Sequence, residues 1–178
     1  VIGERDRISD AIYDWVGAAV FDEGRTDPVI WDHGDGPRPP PPFVSLEFTG
    51  TSTPGTPNYS PVDENGEQSI ARSVRRALTM YGFGEGALDL LEAIKESIWK
   101  DKYMEMLAEK GLVIPQALDV TENPAARGTE TEFSAHFDFF VSYMRETKER
   151  IGWIESAEIT PSGLPMKKIK ITSLKEEN

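Results

Sequence analysis

From Ile8 to Val20 the apolar residues Ile8, Ile12, Trp15, Val16, Ala19 and Val20 recur at spacings of three and four, which places them on one stripe of a helix. The short VIW at 29–31 reads as a strand. Four consecutive prolines at 39–42 then stop regular structure. They lack N–H donors and hold φ near −65°, so a stiff, extended arm is expected. In FVSLEF at 43–48, Val44, Leu46 and Phe48 alternate with Ser45 and Glu47, the pattern of a half-buried strand. Residues 49–71 hold few large apolar side chains and many Gly, Pro, Ser and Thr, and read as one long loop. Loops of that length are uncommon in compact domains and are either disordered or used for contact.

The alternation resumes at Arg72, with Val74, Leu78 and Met80 set against Ser73, Arg75 and Thr79, and the strand ends at Gly82 and Gly84. A second amphipathic helix is predicted over about Glu85 to Trp99, with Ala87, Leu90, Leu91, Ile94 and Ile98 inward. A third follows over Asp101 to Lys110, with Asp101 as N-cap and Gly111 as its stop. LVIPQALDV reads as short extended segments and TENPAARG as a turn-rich loop. From Thr131 to Tyr143 the alternation is the clearest in the chain. Phe133, Ala135, Phe137, Phe139, Val141 and Tyr143 lie on one side, with Glu132, Ser134, His136 and Asp138 on the other. Strands at Ile154 to Ile159 and Lys168 to Ile171 flank the turn signal TPSGLP as a hairpin, and 173–178 read as a flexible tail.

Helices and strands cluster along the chain instead of alternating one by one, so the fold class expected is α+β. A mostly antiparallel sheet carries helices packed on one face, with one long extended loop. A length of 178 residues fits a single domain over 1–178, and 8 Phe, 5 Tyr and 4 Trp supply the bulk for a core. The 19 Lys and Arg against 31 Asp and Glu give a net charge of −12, which disfavours binding to a phosphate backbone. The absence of cysteine removes disulfides, thiolate metal sites and thiol nucleophiles. No run of apolar residues is long enough to span a bilayer, and the first residues lack the basic-then-apolar order of a signal peptide, so a cytoplasmic site of synthesis is expected and no membrane partner.

The spacing motifs of zinc proteases, P-loops, nucleophile elbows and calcium loops are missing. GFGEGA at 82–87 lacks the spacing of a dinucleotide fingerprint and reads as a tight strand-to-helix connection. Of the two histidines, His33 sits in the acidic turn DHGD, and His136 shares a strand face with Asp138 and Glu132. His136 and Asp138 leave open the reading of a small metal-dependent enzyme; the other reading is an exposed polar face.

Several pieces taken in order form a larger pattern: YDWV at 13–16, VIWDHGDGPRPPPPFVSLEF, RSVRRALTMYGFGEGALDLLEAI, and ETEFSAHFDFFVSYM followed by IESAEI. The chain resembles the tailed-phage neck terminator family, also called tail terminator or tail completion proteins, over about residues 5 to 160. Ile30, Trp31, Pro37, Arg38, Pro39, Val44, Leu46, Gly82, Ala87 and Leu91 carry the most specific part of the likeness. The resemblance implies a structural, non-catalytic virion protein without cofactors, made in the host cytoplasm. Six copies would form a ring that terminates the tail tube and joins the tail to the head connector. Its partners would then be copies of itself, the tail-tube protein and the head–tail connector or stopper, with genomic DNA passing through unbound. A neighbouring neck or tail subunit, such as a connector or tube protein, is the alternative within the same class.

On that reading Trp31, Arg38, Phe43, Tyr59, Trp99 and Trp153 are candidate interface residues, since aromatics and arginine are enriched where subunits meet. Asp32, Asp35, Glu132, His136 and Asp138 are candidates for the channel lining. Six copies would carry a charge of roughly −72, and carboxylates turned to a channel would repel DNA in transit.

Overall fold

The computed structural model describes residues 2–32, 37–123, 125–127, 130–132, 134–151, 156–159 and 169–172. In chain order these form α1 (Ile2–Asp22), β1 (Val29–Trp31), β2 (Phe43–Ser52), β3 (Asn58–Tyr59), β4 (Glu67–Phe83), α2 (Ala87–Ser97) and α3 (Asp101–Glu109). There follow β5 (Val113–Ala117), β6 (Thr121–Glu122), β7 (Ala125–Arg127), β8 (Glu130–Glu132), β9 (Ser134–Arg150), β10 (Ser156–Ile159) and β11 (Ile169–Thr172). The chain divides into two compact units, Val1–Thr56 with Arg72–Arg145, and Pro57–Ala71 with Glu146–Asn178.

The larger unit is the α+β body that the patterning predicts. Its sheet runs in the order β1-β2-β4-β9-β5, with β6 on β9. The pairings β2–β4, β5–β9 and β6–β9 are antiparallel, and β1 lies parallel to β2. One face of the sheet presents Val44 and Leu46 from β2, Val74, Leu78 and Met80 from β4, and every second residue of β9 from Ala135 to Tyr143; all are buried. The helices lie on this face and join the same core through Ile8, Ile12, Trp15 and Val16 of α1, Leu90, Leu91 and Ile94 of α2, and Leu107 of α3. Each large apolar side chain so buried contributes about 1.5–3 kcal/mol, so the helix stripes and the strand alternation stabilise one another. Gly82 marks the closest approach of helix to strand: a Cβ there would lie 3.1 Å from Leu91 Cγ and 3.3 Å from Ala87 Cβ.

Two polar contacts fix the helix layer. Trp15 Nε1 donates to Ser97 Oγ at 3.0 Å, and Ser97 in turn donates to the Ile94 carbonyl at 2.6 Å, so both buried polar groups are satisfied. At the end of α1, Asp22 accepts from Lys102 Nζ at 2.8 Å and from the Tyr103 hydroxyl at 2.6 Å. Hydrogen bonds from Lys102 and then Tyr103 hold the Asp22 carboxyl below its ordinary range. Burial first, and then the neighbouring Asp22, raise the Tyr103 hydroxyl above the usual phenol range.

In the smaller unit β3 pairs antiparallel with the start of β4, Asn58 opposite Ala71 and Tyr59 opposite Ile70. Asp63 organises the turn between them by accepting from the amides of Asn65 and Glu67 at 2.9 and 2.8 Å. These bonds, the one from Glu67 foremost, lower its carboxyl pKa. β10 and β11 pair antiparallel, Ser156 opposite Thr172 and Ile159 opposite Ile169, as the turn signal between them implies.

Three expectations are corrected. The stretch 49–71 is not a loop throughout: β2 runs on to Ser52 after a bulge between Phe48 and Gly50, β3 lies within the stretch, and β4 begins at Glu67. Backbone pairing carries these segments where large apolar residues are too sparse to show an alternation. Asp101 is the first residue of α3, not its cap; Lys100 holds the cap position in an extended conformation, with no side-chain cap bond. The TENPAARG stretch contains β6 and β7. Residues 173–178 lie outside those described.

Candidate functional site: the open face of the sheet

Strand alternation that sends Val44, Leu46 and Met80 into the core sends Ser45, Glu47, Thr79 and Tyr81 to the face away from the helices, where Ser45 and Thr79 are buried and Glu47 and Tyr81 half-buried. The register sets Ser45 opposite Tyr81 and Glu47 opposite Thr79. β9 adds His136 and Asp138 to this face, with His136 opposite Thr121 of β6. The Thr79 hydroxyl donates to Asp138 Oδ1 at 2.5 Å, and the Tyr81 and His136 rings lie 5.9 Å apart between centroids. The Tyr81 hydroxyl sits 3.5 Å from Glu47 Oε2.

Burial and then the carboxylates Glu47, Asp138 and Asp32 raise the Tyr81 hydroxyl pKa, which identifies the three acids as its electrostatic surroundings. They come from three separate parts of the sequence. Asp32 is held by Arg38, whose Nη2 lies 2.7 Å from Asp32 Oδ1. The same guanidinium lies over the Phe83 ring, 5.8 Å from its centroid, and Phe83 stacks on Phe43 at 4.5 Å. Residues 37–42 thus begin with a side chain anchored to the molecule's own sheet instead of reaching away from it.

The residues singled out from sequence fall into different places. Asp32, His136 and Asp138 belong to the open face. Glu132 lies on β8, in a separate two-stranded sheet with β7, and not on the long strand with His136 and Asp138. Asp35, His33 and Trp153 lie outside the described residues. Among the interface candidates, Phe43 is buried, and Trp31 is half-buried in a stack with Phe48 at 4.9 Å. Arg38 is exposed but engaged by Asp32. Tyr59 and Trp99 remain open, 56% and 58% exposed. Sequence reading missed Glu47, Thr79 and Tyr81 as members of this face, because only the β2–β4 register brings them beside Asp138.

Among the described residues no group of three or more His, Cys, Asp or Glu side chains is placed to hold a metal ion. Asp138 is committed to Thr79. A groove of about 580 Å³ at the start of α2 is bordered by Glu85, Asp89 and Glu122 as well as Gly84 and Gly86, so its carboxylates oppose a phosphate at that helix end. No helix among the described residues is long and apolar enough to cross a membrane.

The family model described as phage neck terminator protein matches residues 6–163 of the chain. No curated protein matches it.

Proposed function

The chain belongs to the phage neck terminator protein family and is a structural protein of the phage neck; on that premise we propose that six copies close into a ring with the open sheet face turned to the DNA channel. The ring ends the tail tube on one side and receives the head connector on the other, and its task is mechanical and electrostatic, not catalytic. The observation that carries this reading is the convergence of Asp32, Glu47 and Asp138 around Tyr81 on the face without helices. Carboxylates repeated around a channel hold DNA off the wall, since no counterions are released by contact between like charges. The helix layer is then left to the side away from the channel, and its flanks together with the edges of the sheet to neighbouring subunits and rings.

Charge reversal on the open face tests this. The double variant Glu47→Lys, Asp138→Lys puts twelve cations into a six-membered ring, and DNA release from assembled particles is expected to slow by roughly tenfold at low salt, less at high salt. The neutral control Glu47→Gln, Asp138→Asn should complete tails and release DNA at close to the unmodified rate. Unchanged release with the lysine variant, in particles that contain it, would put the channel on another face.

A further inference from the structure

Arg72 and Arg76 stand on one face of β4 and Arg75 on the other, in a chain whose acidic residues outnumber its basic ones 31 to 19. None of the three pairs with a carboxylate among the described residues, whose ion pairs are Arg25–Asp27, Arg38–Asp32, Lys95–Asp119 and Lys102–Asp22. Two are instead stacked on rings: the Arg75 guanidinium lies 5.7 Å from the Phe140 centroid, and that of Arg76 lies 5.0 Å from the Phe48 centroid. The Nε atom of each is buried and lacks a hydrogen-bond partner. Stacking holds a guanidinium in place ahead of binding, so less side-chain freedom is lost when a carboxylate meets it. A shallow hollow of about 350 Å³, lined by Phe48, Thr49, Gly50, Thr51 and Arg76, opens beside Arg76.

The opposite imbalance lies on α3. Asp101, Glu105 and Glu109 recur every four residues along one exposed stripe, and none has a cation partner among the described residues. Their neighbour Lys102 is taken by Asp22. Beside this stripe, Trp99 at 58% and Met104 at 44% exposure border an apolar groove of about 300 Å³, floored by Leu107, Leu112 and Ile114. An exposed indole two residues before a helix with unpaired carboxylates offers an arginine patch both a ring to stack on and oxygens to bind.

We infer that Arg72 and Arg76, which share one face of β4, dock on the Trp99 groove and the acidic stripe of α3 on the next copy. The inference rests on the ring reading above and adds which surfaces close the ring. The two patches are different and complementary in charge, so the contact is heterologous, the kind that generates rings. A second copy fits better than nucleic acid, because a phosphate would satisfy the arginines but would leave the acidic stripe of α3 without a partner.

The test uses tails assembled without this protein and measures rings on tail ends by electron microscopy. Arg72→Glu, Arg76→Glu reverses one patch; Glu105→Lys, Glu109→Lys reverses the other on an exposed helix face, where folding is little affected. Each variant alone is expected to lose ring formation by about tenfold or more, as a charge pair becomes a repulsion. An equal mixture of the two should regain it, because alternating subunits restore opposite charges at every contact. Should the arginine variant lose its circular dichroism signature, the Glu105, Glu109 variant decides alone. Undiminished rings from that variant, or a mixture of folded variants that fails to recover, would overturn the pairing while rings of the unmodified chain keep the ring reading intact. If the unmodified chain forms no ring, both fall. Rings that form normally but lose DNA contact in the arginine variant would assign the arginines to nucleic acid instead.

Discussion

Replacing Trp15 by alanine is expected to destabilise the protein by about 4 kcal/mol, a large share of the roughly 5–15 kcal/mol that holds a domain folded. Trp15 is fully buried where α1 meets the sheet and α2. Its ring packs edge-on against Phe139 at 5.7 Å, and its Nε1 reaches Ser97 at 3.0 Å. Alanine therefore removes the largest side chain of the core and leaves a cavity that the rigid sheet below cannot close. Trp15→Phe keeps most of the ring and loses the hydrogen bond to Ser97, a change worth about 1–2 kcal/mol. Urea unfolding separates the two: the midpoint should fall for both, far more for alanine, with little change in slope. A loss below about 1 kcal/mol for Trp15→Ala would mean that α1 is not docked as described.

Gly84→Ala should cost about 2–4 kcal/mol, unusual for the addition of one methyl group to a connection between β4 and α2. Two separate effects add. The residue has φ of +97°, where a side chain is strained, and a Cβ would lie 3.0 Å from Pro42 Cα and 3.1 Å from Pro41 Cβ. Proline backbone cannot swing aside as the end of a flexible side chain can. Gly111 supplies the control: its φ is +71° but nothing lies within 4 Å of an added Cβ. Gly111→Ala is expected to cost only the backbone strain, about 1–2 kcal/mol, and the difference between the two variants isolates the contact with the proline arm. Equal losses at the two positions would show that residues 41 and 42 do not press on Gly84.

Where side chains alternate or recur at helical spacing on a core, the fold was readable in advance. β9 is the clearest instance, since Ala135, Phe137, Phe139, Val141 and Tyr143 are all buried at the positions their spacing indicates. The first part of β4 and the end of β2 were not readable. Gly50 to Ser52, and Ile70 with Ala71, pair through the backbone and bury few large side chains, so hydrophobic periodicity is silent there. The start of the long strand misled for a related reason: the alternation from Thr131 continues without a break, yet Glu132 pairs with Ala125 in a different sheet. The open face shows the other limit. Asp32, His136 and Asp138 could be proposed from local sequence, but Glu47 and Tyr81 join them through cross-strand register, which no single segment encodes. Aromatic content likewise marked Phe43 and Trp99 alike, and only packing distinguishes the buried one from the exposed one.

The proposal that Glu47, Tyr81 and Asp138 line a channel concerns position in a particle, so position is what should be measured. Cryo-electron microscopy of virions at a resolution that traces the chain is expected to place six copies in one ring between the last tube ring and the head connector, with Glu47 and Asp138 facing the axis and α1 to α3 outside. Density for this chain in the repeating rings of the tube, or in a ring whose helices face the axis, would contradict the account.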